Sequence, residues 1–124
     1  MHVVDSSGWV EYFVNDPNAG FFASPIRDIE NLIIPSICLY EVFKRVLLEF
    51  GEDKALETIG EMLLGIVIDL DRDIAIRAAQ ISLESKLAMA DSIILATARA
   101  NNATLLTQDE HFKDLEGVKY IKKS

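Results

Sequence analysis

The chain has 124 residues, half of them hydrophobic, and carries a formal net charge of −8 with a pI near 4.6. This length suits one packed domain, so we expect a single domain over residues 1–124. Charges interrupt every apolar run well before the roughly 20 residues of a membrane span, which argues against a membrane protein. The acidic balance argues against binding nucleic acid through a basic surface, but not against an enzyme that reaches phosphates through metal ions.

The cysteine content and the first residues bear on the compartment. Cys38 is the sole cysteine, so the chain forms no internal disulfide, and its apolar neighbours predict a buried thiol. The first strand pattern begins at residue 2 and meets an acid at position 5, which leaves no room for a secretory leader. We therefore expect a cytoplasmic protein.

Strand-like and helix-like patterns alternate along the chain. In chain order we predict a strand at 1–5, helices at 6–13 and 20–30, a strand at 32–34, helices at 36–50 and 53–64, a strand at 66–68, helices at 72–86 and 89–101, a strand at 104–107, a short helix or turn at 109–115, and a last strand at 118–121. This alternation predicts an α/β fold, a three-layer sandwich with a central, mainly parallel sheet flanked by helices.

Local signals place the ends of several helices. Ser6 or Ser7 is expected to cap the first helix, and Ser36 the third. Pro25 predicts that the second helix is short or kinked. In the fourth helix one apolar face is predicted, made by Leu56, Ile59, Leu63 and Leu64.

Four acidic residues stand at the end of an apolar run or inside one: Asp5, Glu41, Asp91 and Asp109. Carboxylates in apolar surroundings are costly unless they are paired or bound to a cation. Asp5 and Asp109 directly follow predicted strands, at the edge where ligands bind in parallel sheets. Because Mg²⁺ and Mn²⁺ prefer oxygen ligands, we hypothesise that the four acids converge on one or two such ions.

Each acid also has an ordinary structural interpretation. Asp5 is suited to an Asx turn, and Glu41 to ion pairs with the basic residues three and four positions later. Asp91 and Asp109 are suited to the first turns of helices. His111 is interpreted as a lone surface histidine. The cations expected to touch phosphate are Lys44, Arg45, Arg72, Arg77 and Arg99.

Along nearly its whole length the chain resembles the PIN-domain ribonucleases, and within them the VapC-type toxins of toxin–antitoxin pairs. The segments that carry the resemblance are Val4-Asp5-Ser6-Ser7, Tyr40-Glu41-Val42, the helix segment from Met89 to Ala98, and the closing motif from Leu105 to Phe112. Their order, spacing and secondary-structure context are more specific than any one of them. The bulky residues after Glu41 depart from many relatives and leave the acid itself in place.

The resemblance implies a PIN-like fold and a metal-dependent endoribonuclease that hydrolyses RNA phosphodiester bonds. Asp5, Glu41, Asp91 and Asp109 would be the catalytic residues and would hold Mg²⁺ or Mn²⁺. It implies that three hydroxyl residues orient these ligands, namely Ser6, Ser7 and Thr107. Helix capping and turn bonding explain these hydroxyls equally well.

The resemblance also implies protein partners. One is a cognate antitoxin with a basic tail, which the acidic charge would attract, and we expect its apolar residues to lie near Phe21-Phe22. The other is a second copy of the chain in a homodimer, for which the helices at 53–64 and 72–86 offer apolar surface.

Two other classes of protein remain open. A phosphoacceptor receiver domain would carry paired acids after the first strand and a lysine after the last; here Asp5 has no acidic neighbour and no lysine follows residues 105–107. A non-catalytic PIN-like module that binds RNA or protein is the second alternative. The complete set of four acids argues against it.

Overall fold

Strands and helices alternate through the whole computed structural model, which describes residues Met1 to Ser124. The elements are β1 (His2–Val4), α1 (Ser6–Val14), α2 (Ala19–Arg27), β2 (Leu32–Pro35), α3 (Ser36–Phe50), α4 (Glu52–Met62), β3 (Ile66–Ile68), α5 (Arg72–Ser85), α6 (Met89–Ala100), β4 (Thr104–Thr107) and β5 (Val118–Tyr120). Two short 3-10 helices, Ile29–Asn31 and Glu110–Phe112, follow α2 and β4. No helix combines the length and the apolar character that crossing a membrane requires.

The five strands form one sheet in the order β3-β2-β1-β4-β5, and every neighbouring pair is parallel. At its centre, Val3 of β1 pairs with Ile33 of β2 and with Leu105 of β4. All three side chains are buried, as expected for a parallel sheet that helices cover. The predicted α/β sandwich is therefore confirmed, with a sheet that is parallel throughout and flanked by six helices.

The strand order creates a topological switch point between β1 and β4. The chain moves from β1 outward through β2 to β3, and then returns to lay β4 and β5 on the other side of β1. In open parallel sheets, ligands bind at such a point, beyond the carboxyl ends of the strands. The same order excludes the receiver-domain alternative, because flavodoxin-like receivers have the order 2-1-3-4-5.

The residues that begin two helices differ from the sequence prediction. Asp5, and not Ser6 or Ser7, is the N-cap of α1, and its side chain accepts a hydrogen bond from the backbone N–H of Ser7. Helix α3 has no side-chain cap, and the hydroxyl of Ser36 instead accepts from the backbone N–H of Leu70, 3.3 Å away. In both cases the helix begins at least one residue earlier than the cap prediction requires, which places the serines inside the first turn.

The predicted apolar face of α4 does not point into the core. Leu56 and Leu63 are 53% and 54% exposed, whereas Ala55, Thr58 and Met62 are fully buried. Helix α4 packs against α3, and small side chains such as Ala55 permit the two helices to approach closely. The leucines of the predicted apolar face therefore form exposed apolar surface.

Gly8 marks the tightest contact of α1 with the core. A Cβ at this position would lie 2.6 Å from Cε1 of Phe22 and 2.8 Å from Cγ1 of Val4, both fully buried side chains. Neither side chain has space to move away, so we expect Gly8→Ala to lower the free energy of unfolding by about 1–3 kcal/mol.

A matched control lies in α4. A Cβ on Gly60 meets nothing within 4 Å, so Gly60→Ala should raise the free energy of unfolding by about 0.5–1 kcal/mol through helix propensity. Urea denaturation of both variants measures the difference. Two shifts of the same sign would contradict the close contact at Gly8.

Candidate functional site

The four acids lie at the carboxyl edge of the sheet, around the switch point. Asp5 directly follows β1, and Asp109 lies two residues after β4. Glu41 is on the second turn of α3, the helix that leaves β2, and Asp91 is in the first turn of α6. The parallel topology thus brings residues from four distant parts of the chain to the same region.

Asp5 is the most buried of the four acids, with 4% of its surface exposed. Its carboxylate accepts hydrogen bonds from the backbone N–H of Ser7 at 2.7 Å, the hydroxyl of Ser7 at 3.2 Å and the hydroxyl of Thr107. The same Thr107 hydroxyl accepts from the backbone N–H of Asp109 at 2.9 Å. Thr107 therefore links the two acids that follow β1 and β4.

Glu41 is also held by the first turn of α1. The hydroxyl of Ser6 donates to its Oε1 atom at 2.7 Å, so one turn of α1 contacts both Asp5 and Glu41. Glu41 makes no ion pair with the basic residues that follow it, because Arg45 pairs with Glu49 instead. Beneath these residues lies the Cys38 thiol, buried as predicted; burial and the nearby acids raise its pKa far above the ordinary value.

Asp91, Asp109 and His111 form the closest group of potential ligands. Each offers one ligand atom, and these atoms all lie within 4.8 Å of one another, a group that does not include Asp5 or Glu41. Nδ1 of His111 lies 2.7 Å from Oδ1 of Asp109, and the backbone N–H of His111 donates to the same oxygen. The histidine is 74% exposed, as expected of a surface residue, but it is paired with Asp109 and is not alone.

The protonation equilibria reflect this crowding of negative charge. Burial raises the pKa of Asp5 to about 6; its hydrogen bonds from Thr107 and Ser7 oppose the shift, and the charges of Asp109 and Asp91 add to it. Burial also raises the pKa of Asp91 to about 6, and Asp109 and Glu41 add to that shift. The hydrogen bond to Asp109 raises the pKa of His111.

The donor set fits a hard divalent cation. No lysine or arginine lies within 4.0 Å of any of the four carboxylates, and His111 is the one basic group paired with them. Carboxylate oxygens are the preferred ligands of Mg²⁺ and Mn²⁺, and uncompensated negative charge favours cation binding. An imidazole nitrogen beside them suits Mn²⁺ better than Mg²⁺.

Three of the five predicted phosphate-binding cations, Lys44, Arg45 and Arg99, make other contacts. The Lys44 ammonium lies 5.5 Å from the centre of the Tyr40 ring, and the Arg99 guanidinium donates to the backbone carbonyl of Glu116 at 2.9 Å. Phe22, which was expected to face a partner together with Phe21, is fully buried against the core.

A buried polar network next to Asp109, which Glu11, Asn18 and Gln108 form, was not predicted from the sequence. The Gln108 amide donates to Glu11 at 2.9 Å, and Asn18 donates to Glu11 through its backbone and to Gln108 through its side chain, each at 3.0 Å. All three side chains are buried. Glu11 stands inside the apolar run of α1 between Val10 and Tyr12, so the criterion that selected the other four acids selects it as well.

Comparison with known proteins identifies the family. A family model described as PIN domain matches residues 2–118. The chain belongs to the PIN domain family. A search of curated proteins gave no match.

Solved structures share the fold of this PIN domain. A toxin–antitoxin complex from Klebsiella pneumoniae is 24% identical, with 96% of each chain covered and a TM-score of 0.77. VapBC2 from Rickettsia felis, bound to a DNA fragment from its promoter, is 18% identical over 98% of this chain and 97% of that one, with a TM-score of 0.75. VapC20 of Mycobacterium tuberculosis, described as a toxin that cleaves the sarcin–ricin loop, is 16% identical over 90% and 92%, also with a TM-score of 0.75.

Burial of Asp91 and repulsion from the neighbouring acids should lower the free energy of unfolding measurably. Folding raises the pKa of Asp91 from 3.8 to about 6, so ionisation of Asp91 costs the folded state stability. This cost is absent below about pH 4 and complete above about pH 6. In metal-free solution near pH 7.5, we expect Asp91→Asn to raise the free energy of unfolding by about 1 kcal/mol, a value reduced for the partial exposure of the side chain.

Urea denaturation with EDTA at about pH 7.5 and about pH 4 tests the cause. The gain should be much smaller at the lower pH, where Asp91 is protonated in the folded state and only about half ionised in the unfolded chain. An equal gain at both values would contradict a charge effect.

Proposed function

We propose that this PIN domain is a metal-dependent endoribonuclease, with Asp5, Glu41, Asp91 and Asp109 as its catalytic, metal-binding carboxylates. The observation that carries the proposal is the clustering of acids at the switch point without a lysine or arginine to neutralise them. Such an arrangement costs stability, which is typical of sites kept for a reaction.

The chain's own residues would prepare the site for an ion. Asp91 and Asp109 offer oxygens close to one another, while hydrogen bonds from Ser7 and Thr107 fix the orientation of Asp5. A divalent ion held by these carboxylates would supply a water-derived nucleophile near neutral pH. With pKa values of about 6, Asp5 and Asp91 are ionised at neutral pH and available as ligands.

His111 would act through Asp109. Its imidazole and its backbone N–H both donate to the same carboxylate oxygen, which leaves the second oxygen of Asp109 free to bind a cation. Histidine–carboxylate pairs of this kind orient ligands in metal sites.

RNA is the substrate that we infer. VapC20, one of the proteins with the same fold, is described as cleaving the sarcin–ricin loop. The carboxylate cluster suits phosphodiester hydrolysis, in which metal ions stabilise the charge on phosphate oxygens. A non-catalytic PIN-like module is the alternative, and the retention of all four acids together with the residues that orient them argues against it.

Neutralising one ligand tests the activity. We expect Asp109→Asn to lower the rate of RNA cleavage in Mn²⁺ by more than about 100-fold, because even residues that only orient a ligand are worth 10- to 100-fold. Glu61→Gln is the matched control, since this exposed acid on α4 loses the same charge away from the acidic cluster and should stay within about 2-fold. The assay follows a mixed-sequence RNA, with EDTA as the metal-free control. Equal activity of the two variants would rule out Asp109 as a catalytic, metal-binding carboxylate.

We further infer that the protein is the toxin of a cytoplasmic toxin–antitoxin pair. Several structures with this fold are described as toxin–antitoxin complexes. The acidic cluster is suited to a basic antitoxin tail, because a guanidinium binds carboxylates bidentately. An apolar groove of about 150 Å³ between α1, α3 and α4 offers a place for the antitoxin's apolar residues, in place of the buried Phe22; its lining includes Phe13, Val46 and Phe50.

Self-association is also proposed. Helix α5 exposes Ile76 and Leu83 at 57% and 85%, and Met89 at the start of α6 is 74% exposed. These side chains lie on the two helices that form an apolar groove of about 340 Å³. Exposed apolar side chains on helices that also form an apolar groove are typical of a protein interface, and a two-fold dimer is the commonest closed assembly.

Light scattering tests this dimer. The chain should show twice its mass of 13.8 kDa, and Leu83→Glu should return it to the mass of a monomer because burying the new charge is costly. Leu48→Glu is the control, since Leu48 is equally exposed, at 84%, but lies on α3. A monomeric wild type, or a dimer lost only in the control, would contradict an interface on α5.

A further inference from the structure

A cleft of about 480 Å³ lies directly beside the acidic cluster. It shares Ser7, Asp109 and His111 with the candidate site. The remainder of its lining is Gln108, Glu110, Tyr120 of β5 and two lysines that follow this strand, Lys122 and Lys123. We call it the lysine cleft.

The lysine cleft carries opposite charges on its two sides. Lys122 and Lys123 form no ion pair within 4.0 Å, although the chain holds 20 acidic residues. Other lysines of the same region are engaged, since Lys113 lies over the ring of Tyr120 and Lys119 over that of Phe21. The two lysines of the cleft are therefore available to an anion.

The backbone that carries these lysines is held in place. The N–H of Ile121 donates to the carbonyl of Thr107 at 3.0 Å, and the Asn18 amide donates to the carbonyl of Lys122 at 3.1 Å. Asn18 belongs to the buried network of Glu11 and Gln108, directly before Asp109. The same network thus fixes both the acidic side and the basic side of the cleft.

We propose that the lysine cleft binds the RNA strand next to the phosphate that is cleaved. Lys122 and Lys123 contact the oxygens of a neighbouring phosphate, and Tyr120 contacts a base. The inference rests on the proposed nuclease function and adds a substrate-binding role for residues that the four-acid motif does not include.

Electrostatics favours an RNA strand over a peptide. A chain with a net charge of −8 repels a polyanion at long range, so its affinity for RNA has to come from local contacts. A strand bound at the acids through a metal ion would extend its neighbouring phosphate into the same cleft, whose lining includes the two free ammonium groups. An aromatic ring beside them suits a nucleic acid, since bases stack on such rings.

Direct binding tests the proposal apart from catalysis. All proteins carry Asp91→Asn, and fluorescence anisotropy measures their binding to a labelled mixed-sequence single-stranded RNA in Mg²⁺. We expect Lys122→Gln with Lys123→Gln to raise Kd about 10-fold and to reduce the slope of log affinity against log salt by about 1.4, the value for two lost phosphate contacts.

The control removes the same charge elsewhere. Lys86→Gln with Lys119→Gln changes two lysines outside the cleft, and Kd should stay within about 2-fold. Equal weakening by both pairs would show only a general field effect and would overturn the proposal, as would no weakening by the cleft pair. Displacement of the RNA by hexaglutamate at equal charge concentration would assign the cleft to acidic peptides instead, which also overturns it.

Cleavage kinetics separate this inference from the proposed function. In the protein with Asp91 intact, the cleft pair should raise KM about 10-fold with kcat within about 2-fold, as expected for uniform binding. If the unmodified chain cleaves no RNA, the nuclease proposal fails, while the anisotropy measurement still decides whether the cleft binds RNA.

Discussion

The central constraint in this molecule is uncompensated negative charge at the carboxyl edge of the sheet. Asp5 is almost fully buried, and Asp91 is close enough to Asp109 for both carboxylates to bind one cation. No lysine or arginine contacts any of them. Folding alone does not favour such a cluster, because both burial and mutual repulsion oppose ionisation. The hydrogen bonds from Thr107 and Ser7 offset part of this cost at Asp5 and keep its carboxylate in one orientation.

The fold tolerates this charge because the backbone supplies the geometry. The switch between β1 and β4 places the ends of two neighbouring strands side by side, and the start of α1 then offers backbone N–H donors to Asp5. Asp5 is therefore both a helix cap and a member of the acidic cluster. Its structural and its functional interpretations are two consequences of one position, and they do not compete.

Much of this arrangement follows from sequence pattern, and the exceptions have physical causes. Alternating apolar runs were sufficient to predict the strands, and the acids at their ends were sufficient to predict the site region. Pattern alone shows that α4 has an apolar face, but not that Ala55, Thr58 and Met62 form its buried side while Leu56 and Leu63 stay exposed. The pairing of His111 with Asp109 depends on one short 3-10 turn, and the position of Lys122 depends on a side chain more than a hundred residues away, Asn18. Local periodicity carries no information about such contacts.

Under the proposed function, the same uncompensated negative charge affects the stability of the protein, its activation by a metal ion and its inhibition by a partner. Any cation that enters the acidic cluster binds the folded state and not the unfolded chain, so it stabilises the protein by an amount that rises with the logarithm of its concentration relative to Kd. A divalent ion and a guanidinium from a basic partner would neutralise the same carboxylates and so exclude one another. The lysine cleft lies outside this competition, because its charge is positive and its ligand is an anion. Substrate binding and cation binding are therefore carried by adjacent surfaces of opposite sign, held in register by the network of Glu11, Asn18 and Gln108.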